Sequence, residues 1–481
     1  MIYPRAPLRV SDYTILVEAG PAGPWVLAHG YSGAIDKVDQ ASFAWIQRGL
    51  SGPPPSPEAS TRLLQRGHIT RRTPEEEKRA VVKAIESYHQ RLRAGRKVTA
   101  TVILSYDCNF RCTYCTQRDV QLKGQEHLDQ GMSDEVMDSA FRFFDAHAVD
   151  DITLFGGEPF MPGNEHRVRR FASMVRERGH RISCVSNGSH WRDYEDVIVP
   201  EVVSHIQVTI DGPPEVHDRR RVGLETRETF HTILDNVGWA LERGVHVSAR
   251  INTDRSNVDD LALLTSMFVE RKFYDHAFNS YISPVQENGF AGREPLFGYR
   301  EMYERMLDAH TRACHTPGPG EVLFDRGFLP SLRHDILHAL EHGEALPYRV
   351  SFCGAYTTMN VLDPFGRIFA CWDFADDPDN VIGVFHPELR YEAPKLERWR
   401  GRDQSVLLKD CLSCRYVLLH GSGCQAESFR RTGSYEERDC QNFDFQFDLA
   451  VKSAVDALDV PHRAIVTEPY ERRRRALPVI A

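Results

Sequence analysis

Apolar runs and amphipathic stretches alternate through the middle of the chain. Apolar segments at 101–106, 151–155, 181–185, 205–210, 245–251 and 277–282 read as strands. Between them, helical periodicity is clearest at 133–148, 164–178, 227–243, 261–272 and 298–313, where aromatics such as Phe141 and Phe144 read as core. Such strand–helix alternation predicts a parallel sheet. Residues 1–95 form a different unit. Tyr13–Val17 and Trp25–Ala28 read as short strands leading, through Y-S-G-A-I-D-K-V-D, into a helix carrying Phe43, Trp45 and Ile46. The proline-rich run 51–57 interrupts the pattern, and a charged helix follows, with Glu75, Glu76 and Glu77 in its opening turn and Val81, Val82, Ile85 and Tyr88 on one face. The breaker cluster H-T-P-G-P-G at 315–320 reads as a hinge. Beyond it periodicity weakens, cysteines become frequent and turns such as Asp363-Pro364-Phe365-Gly366 appear, as in a small domain organised by metal.

The pattern predicts four segments: an α+β unit over 1–95, a strand–helix body over 96–320, a cysteine-rich domain over 345–450, and a helix with a basic tail over 451–481. At 481 residues the chain is too long for one core. A formal charge of −9 argues against a sequence-independent grip on nucleic acid. The basic run Arg472–Arg475 reads as a solvated tail ahead of a docking segment. No apolar run approaches the ~18 residues of a membrane span, and the N-terminus lacks the apolar core of a signal peptide. The expected location is the cytoplasm, where eleven cysteines suggest metal or catalysis before disulfides.

Cys108, Cys112 and Cys115 follow directly on the first apolar strand, with gaps of three residues and then two. Three thiolates on one loop can hold a cubane iron–sulfur cluster and leave one iron open to a small molecule. A zinc site would be expected to supply a fourth ligand at short spacing, and a disulfide framework suits small secreted domains. The triplet resembles the radical S-adenosylmethionine (SAM) superfamily. The resemblance implies a partial (β/α)6 TIM-like barrel of the α/β class, a SAM-binding [4Fe–4S] cluster, and reductive cleavage of SAM to a 5′-deoxyadenosyl radical.

Further motifs fall where that family carries its SAM site. Tyr114 resembles the aromatic residue beside the adenine, with a plain core tyrosine as the other reading. Gly156, Gly157, Glu158 and Pro159 match the family's G-G-E-P motif, whose carbonyls and carboxylate accept from the SAM ammonium group. Ser186 and Asn187 resemble groups that bind SAM's ribose or carboxylate. Arg221, with Arg250 as runner-up, is the expected carboxylate partner; either reads equally as a structural ion pair.

Cys353, Cys371, Cys411, Cys414, Cys424 and Cys440 resemble the SPASM extension of such enzymes, which holds one or two auxiliary [4Fe–4S] clusters. Where the family's pattern has a further cysteine, this chain has His420. The family assignment puts Cys353, Cys371 and Cys424 on an inner cluster and Cys411, Cys414 and Cys440 on an outer one. For His420 three readings stand: a cluster ligand, a surface histidine beside an incomplete or absent cluster, or a zinc ligand. The inner set has three ligands, so an open iron there takes substrate or a residue such as Cys314 closes it. Cys184, in a strand, reads as a buried thiol.

Enzymes with this extension modify peptides or proteins. The expected function is maturation of a ribosomally made peptide by cross-linking or oxidation, an oxidoreductase reaction with Asp373, two residues after Cys371, as a candidate base. The expected partners are a precursor peptide and a reductant such as flavodoxin or ferredoxin, with no nucleic acid and no membrane. Residues 1–95 either capture a leader peptide at a sheet edge or cap the barrel. The alternatives are a sulfatase-type, formylglycine-forming maturase and a non-catalytic iron–sulfur or zinc scaffold.

Overall fold

The computed structural model describes residues 6–20, 23–95, 97–285, 296–314 and 328–458. The breaker cluster at 315–320 and the run Arg472–Arg475 lie outside them. Six parallel strands stand side by side in chain order: Thr99–Ile103, Asp151–Phe155, Ile182–Ser186, Val203–Thr209, His246–Thr253 and Phe278–Pro284. They are numbered here as barrel strands one to six. The helix-covered face is apolar, with Val102, Leu154, Ile182, Val208 and Ala249 all buried, while the opposite face carries polar residues such as Thr153, Ser183, Gln207 and Ser248. Helices Asp134–His147, Glu165–Glu177, Phe230–Glu242 and Leu261–Glu270 lie between them, close to the predicted spans. Strands three and four are joined only by a 3₁₀ turn, Trp191–Tyr194, before strand four starts at Val203.

The fold is thus α/β with a large parallel sheet, but its sheet does not stop at the sixth strand. Met359–Leu362, from the cysteine-rich segment, pairs in parallel with barrel strand one. Arg367–Phe369, Val381–Val384 and Arg390–Tyr391 continue the sheet antiparallel. The segment 345–450 is therefore welded to the barrel by main-chain hydrogen bonds. The C-terminal helix begins at Phe443, inside that segment, and runs to Leu458 against a second helix, Phe328–His342, in a stretch where the hydrophobic pattern predicts no element.

The N-terminal unit is a three-stranded antiparallel sheet, Thr14–Glu18, Trp25–His29 and Ile35–Val38, followed by helices Gln40–Gln47, Pro57–Arg66 and Pro74–Gly95. The proline-rich run ends as a helix start: Pro57 occupies the first turn, and the Ser56 hydroxyl accepts from the Ala59 N–H. One face of the unit has its own core of Leu27, Phe43, Trp45, Ile46, Leu63 and Ile69. Elsewhere the unit packs on the segment around Cys411. Tyr13, Val81 and Ile85 share a core with Val406, Leu407, Cys411 and Val417, and the Tyr13 hydroxyl donates to the Leu412 carbonyl at 2.6 Å.

Candidate active site

The cysteine loop leaves barrel strand one at its C-terminal end. Phe110–Cys112 forms a short antiparallel ladder with Arg221–Gly223 that sets Arg221 opposite Cys112. Local chain geometry thus fixes one thiol directly. Cys108, Cys112 and Cys115 are each half-buried; Cys108 feels the charge of the other two, and Cys112 that of Cys115. Burial pushes all three thiols up, Cys112 to about 11. Protonated thiols of this kind ionise when a metal binds.

Gly156 and Gly157 follow barrel strand two, both with positive φ. A Cβ on Gly157 would lie 2.0 Å from the Asp107 carbonyl oxygen, so only glycine lets this turn touch the cysteine loop. The Glu158 N–H donates to that same carbonyl at 2.8 Å. The Glu158 carboxylate is buried and fully engaged. Oε1 accepts from the Ser186 hydroxyl at 2.7 Å and the Phe160 N–H at 2.9 Å, and Oε2 from the Asn187 N–H at 2.5 Å. Burial raises its pKa against these donors. Glu158 is therefore a strut between the ends of strands two and three. The Asn187 amide continues the frame, donating to Asn109 Oδ1 at 2.7 Å inside the cysteine loop, while Asn109 donates to Ser189 at 3.0 Å.

A second frame surrounds Tyr114. Its hydroxyl donates to Asp211 and accepts from Arg221 Nη1, the latter at 3.0 Å, with the Arg220 guanidinium 5.1 Å above the ring. Burial, then Asp211, drives the Tyr114 pKa well up. The Asp211 Oδ1 accepts from the Asn252 N–H at 2.9 Å. Arg221 keeps its proton despite burial because Cys112, Tyr114 and Asp211 hold it. Arg250 lies apart, on barrel strand five, donating to Asn252 Oδ1 and Ser283 Oγ, both at 2.9 Å.

Two buried donors beside the triplet, Arg221 Nε and Gln117 Nε2, have no hydrogen-bond partner among the described residues. Gln117 spends its oxygen on the Gly157 N–H at 2.8 Å, so its amide nitrogen remains for a ligand. Three thiols, a glycine turn and two unspent donors fit a cluster with a polar ligand. Asn109 and Gln117 were not among the sequence candidates, and Asp211, at the site-bearing end of the fourth strand, was given no role. Asn109 and Gln117 lie within two residues of a triplet cysteine, whereas the Asp211 contact is made only by folding.

The remaining cysteines fall into two groups. Cys353, Cys371 and Cys424 form one: burial pushes all three thiols up, Cys424 to about 12, and Cys371 also feels Cys353 and Cys424, as Cys424 feels Cys353. Cys411, Cys414 and Cys440 form the other group; burial pushes up Cys411, to about 12, and Cys440, and the charge of Cys414 acts on both. Asp373 is held by Arg430 at 3.2 Å, and Arg430 also donates to Glu427 at 2.6 Å. Burial pushes the Glu427 carboxyl up to about 7; this group beside Cys424 was not singled out by sequence spacing. His420 is buried, with its ring 4.5 Å from Phe443 and 5.9 Å from Phe352, and burial lowers it to about 4. Cys184 is a buried strand thiol. Among the described residues, no three or more His, Cys, Asp or Glu side chains converge on a single metal ion, and no helix is long and apolar enough to cross a membrane.

Residues 102–261 match the model of the Radical SAM superfamily. The sporulation killing factor maturation protein SkfB of Bacillus subtilis (strain 168) is 26% identical over 171 residues, 34% of this chain and 38% of that protein. The cysteine-type anaerobic sulfatase-maturating enzyme of Clostridium novyi (strain NT) is 25% identical over 142 residues, 28% of this chain and 37% of that protein. The matches thus span well under half of both relatives. Other relatives are named GTP 3′,8-cyclase. Among solved structures, Streptococcus suis SuiB bound to its precursor peptide SuiA is similar in fold, with TM-score 0.54 and 13% identity, covering 90% of this chain and 99% of that one.

Proposed function

We propose that this chain, which carries a radical SAM domain over residues 102–261, is a peptide maturase that cleaves SAM reductively and modifies a ribosomally made precursor. The observation that carries the reading is the meeting of the triplet loop with the Gly156–Gly157 turn, braced by Glu158, Asn187 and Asn109 and flanked by the unspent donors of Arg221 and Gln117. A [4Fe–4S] cluster with SAM bound supplies an electron and then a carbon radical able to remove a substrate hydrogen. Cys108, Cys112 and Cys115 hold that cluster. Arg221 and Gln117 orient the polar end of SAM, and Tyr114, fixed by Asp211, walls the cofactor. The Cys353, Cys371 and Cys424 group would hold an auxiliary cluster able to accept the electron that the substrate radical gives up, and Asp373 or Glu427 beside it would take the accompanying proton. A second, outer cluster belongs to Cys411, Cys414 and Cys440, with His420 as candidate fourth ligand. The proposed setting is cytoplasmic, with a flavodoxin or ferredoxin as reductant.

Likeness to SkfB and to the SuiB–SuiA complex supports a peptide substrate. Likeness to the Clostridium novyi enzyme supports the second reading, oxidation of one cysteine or serine. Protein reconstituted anaerobically with iron and sulfide, then given SAM and dithionite, is expected to release 5′-deoxyadenosine. A precursor peptide encoded beside this chain is expected to lose hydrogen mass in the same reaction. Loss of mass by a sulfatase peptide instead would favour the second reading. Consumption of GTP offered in place of peptide, with no peptide modified, would overturn both.

A further inference from the structure

The frame around the triplet takes up the ends of barrel strands one to four: the cysteine loop, the Gly156–Gly157 turn, Asn187 and Asp211. Strands five and six carry a different group. Arg250 on strand five is in register with Thr209 on strand four and Tyr281 on strand six, so its side chain shares the inner face of the sheet with theirs. Its Nε donates along the strand to Asn252 Oδ1 and its Nη2 across to Ser283 Oγ, both at 2.9 Å, which leaves Nη1 unspent among the described residues. One step earlier, the Tyr281 hydroxyl donates to Gln207 Oε1 and bridges strand five as a floor. Arg250 is the one permanent positive charge on the inner face of the six strands. The carboxylates at this end are spent on other residues. Asp254 accepts from Arg220 at 2.7 Å, and Asp211 is held by Tyr114, the Asn252 N–H and Arg220. Arg220 and Arg221 thus have counter-charges inside the protein, whereas Arg250, half-buried, meets only the neutral oxygens of Asn252 and Ser283.

We infer that Arg250 binds a carboxylate of the peptide substrate inside the barrel, from an acidic side chain or a chain end beside the carbon that reacts. The inference rests on the peptide reading above and adds which kind of group must accompany that carbon. A guanidinium with Nη1 free and one Nη2 proton to spare can give a carboxylate two parallel hydrogen bonds. The bonds to Asn252 and Ser283 fix its plane beforehand, so little order is lost on binding. A half-buried charge with no counter-ion is costly, and a ligand carboxylate removes that cost. An uncharged isostere leaves the charge unpaired, which makes the site selective. The placement suits the reaction. Asn252 joins the two sites, its N–H on Asp211 of the Tyr114 frame and its side-chain oxygen on Arg250, so a group held by Arg250 lies beside the cofactor wall.

The test uses the full-length reconstituted protein with SAM and no reductant, and reads peptide binding by ligand-observed saturation-transfer NMR. The probes are acetyl-Gly-Glu-Gly-amide, acetyl-Gly-Gly-Gly with a free chain end, and acetyl-Gly-Gln-Gly-amide. At least one of the two carboxylate probes is expected to bind about tenfold more tightly than the glutamine probe, and the tighter of them names the source of the carboxylate. In Arg250→Gln that preference should vanish. In Arg250→Lys, which keeps the charge but loses the fork, part of it should remain. Equal binding of all three probes by the unaltered protein would overturn the inference without any variant. So would a preference that survives Arg250→Gln, and a tenfold loss of SAM affinity in that variant beside such a preference would assign Arg250 to the cofactor instead. Failure here is separable from failure of the maturase reading, because binding is measured without turnover, whereas that reading falls with 5′-deoxyadenosine release and precursor mass.

Discussion

The triplet Cys108, Cys112 and Cys115 and the six cysteines between Cys353 and Cys440 are built in opposite ways. The triplet lies on one loop, and its frame is made of strand ends: Gly157 against Asp107, Glu158 against Ser186 and Asn187, Arg221 opposite Cys112. The later cysteines come from separate turns that only folding brings together. Cys371 sits at the end of a hairpin whose position is set by buried charges. Arg367 donates to Asp363 and Asp376, and Asp376 also accepts from Lys123 at 2.7 Å, on the loop that follows the triplet. Cys424 follows a turn in which Arg402 donates to the Tyr435, Glu437 and Gly423 carbonyls and to Ser422. A motif carried by one loop survives as a spacing, whereas a set assembled from five separate stretches depends on polar networks that spacing does not record. The first region should therefore fail only by losing its ligands, the second also by losing its scaffold.

The largest expected effect tests independence. Replacing Cys108, Cys112 and Cys115 together by alanine should abolish 5′-deoxyadenosine formation while iron bound by the later cysteines remains. Cleavage of SAM by the triple variant under dithionite would remove the triplet from the reaction. Complete loss of iron would show that the two regions assemble as one.

Next comes the scaffold. Arg402→Met keeps the side-chain length but leaves buried carbonyls unsatisfied, and should cost about 3 kcal/mol of stability in the cysteine-rich region. Chelators should then strip its iron faster, with 5′-deoxyadenosine formation from the triplet largely retained. Equal iron loss from both regions would contradict the division.

Acid should separate the regions further. The outer cysteine group leans on the N-terminal unit, where burial lowers the His29 pKa to about 3. Its neighbour Asp36, although buried, is held down to about 2 by hydrogen bonds from His68 and Arg66. His29 stays neutral in the fold while the unfolded chain takes up a proton near pH ~6.5, so its contribution is full above that value and falls as pH drops towards 3. Asp36 adds a further loss as pH falls from about 3.8 towards 2. On the order of 3 kcal/mol should disappear from the unit between neutrality and pH ~4, read from Trp25 and Trp45 fluorescence. His29→Gln should flatten that decline above pH ~4, and an unchanged decline would place the sensitive group elsewhere.

Local periodicity made the barrel legible: six strands and five helices follow from apolar runs, and the cysteine loop and glycine turn fall at strand ends where a site belongs. Elements defined by distant partners were not legible in the same way. The strand Met359–Leu362 shows itself only by pairing with Thr99–Ile103. The proline-rich run reads as a break until Ser56 is seen to cap a helix. At the site, Ser186 and Asn187 were visible as residue types, but their engagement with Glu158 and Asn109 was not.

The smallest and sharpest effect concerns His420. Its ring is wedged by Phe443 and Phe352 and kept neutral by burial, and neutral imidazole is the form that binds metal. Its residue stands where the related pattern has a cysteine, and its one-turn helix Val417–His420 begins just after Cys414. Imidazole in place of thiolate raises a cluster's potential. With His420 as ligand, His420→Cys should keep or raise iron content and lower that potential, and His420→Ala should alter the paramagnetic spectrum of the reduced protein. If substrate electrons leave through the outer group, product should form more slowly in His420→Cys while SAM cleavage continues. Identical spectra in both variants would make His420 part of the aromatic wall beside Phe443, leaving Cys411, Cys414 and Cys440 as a three-thiol set like the triplet.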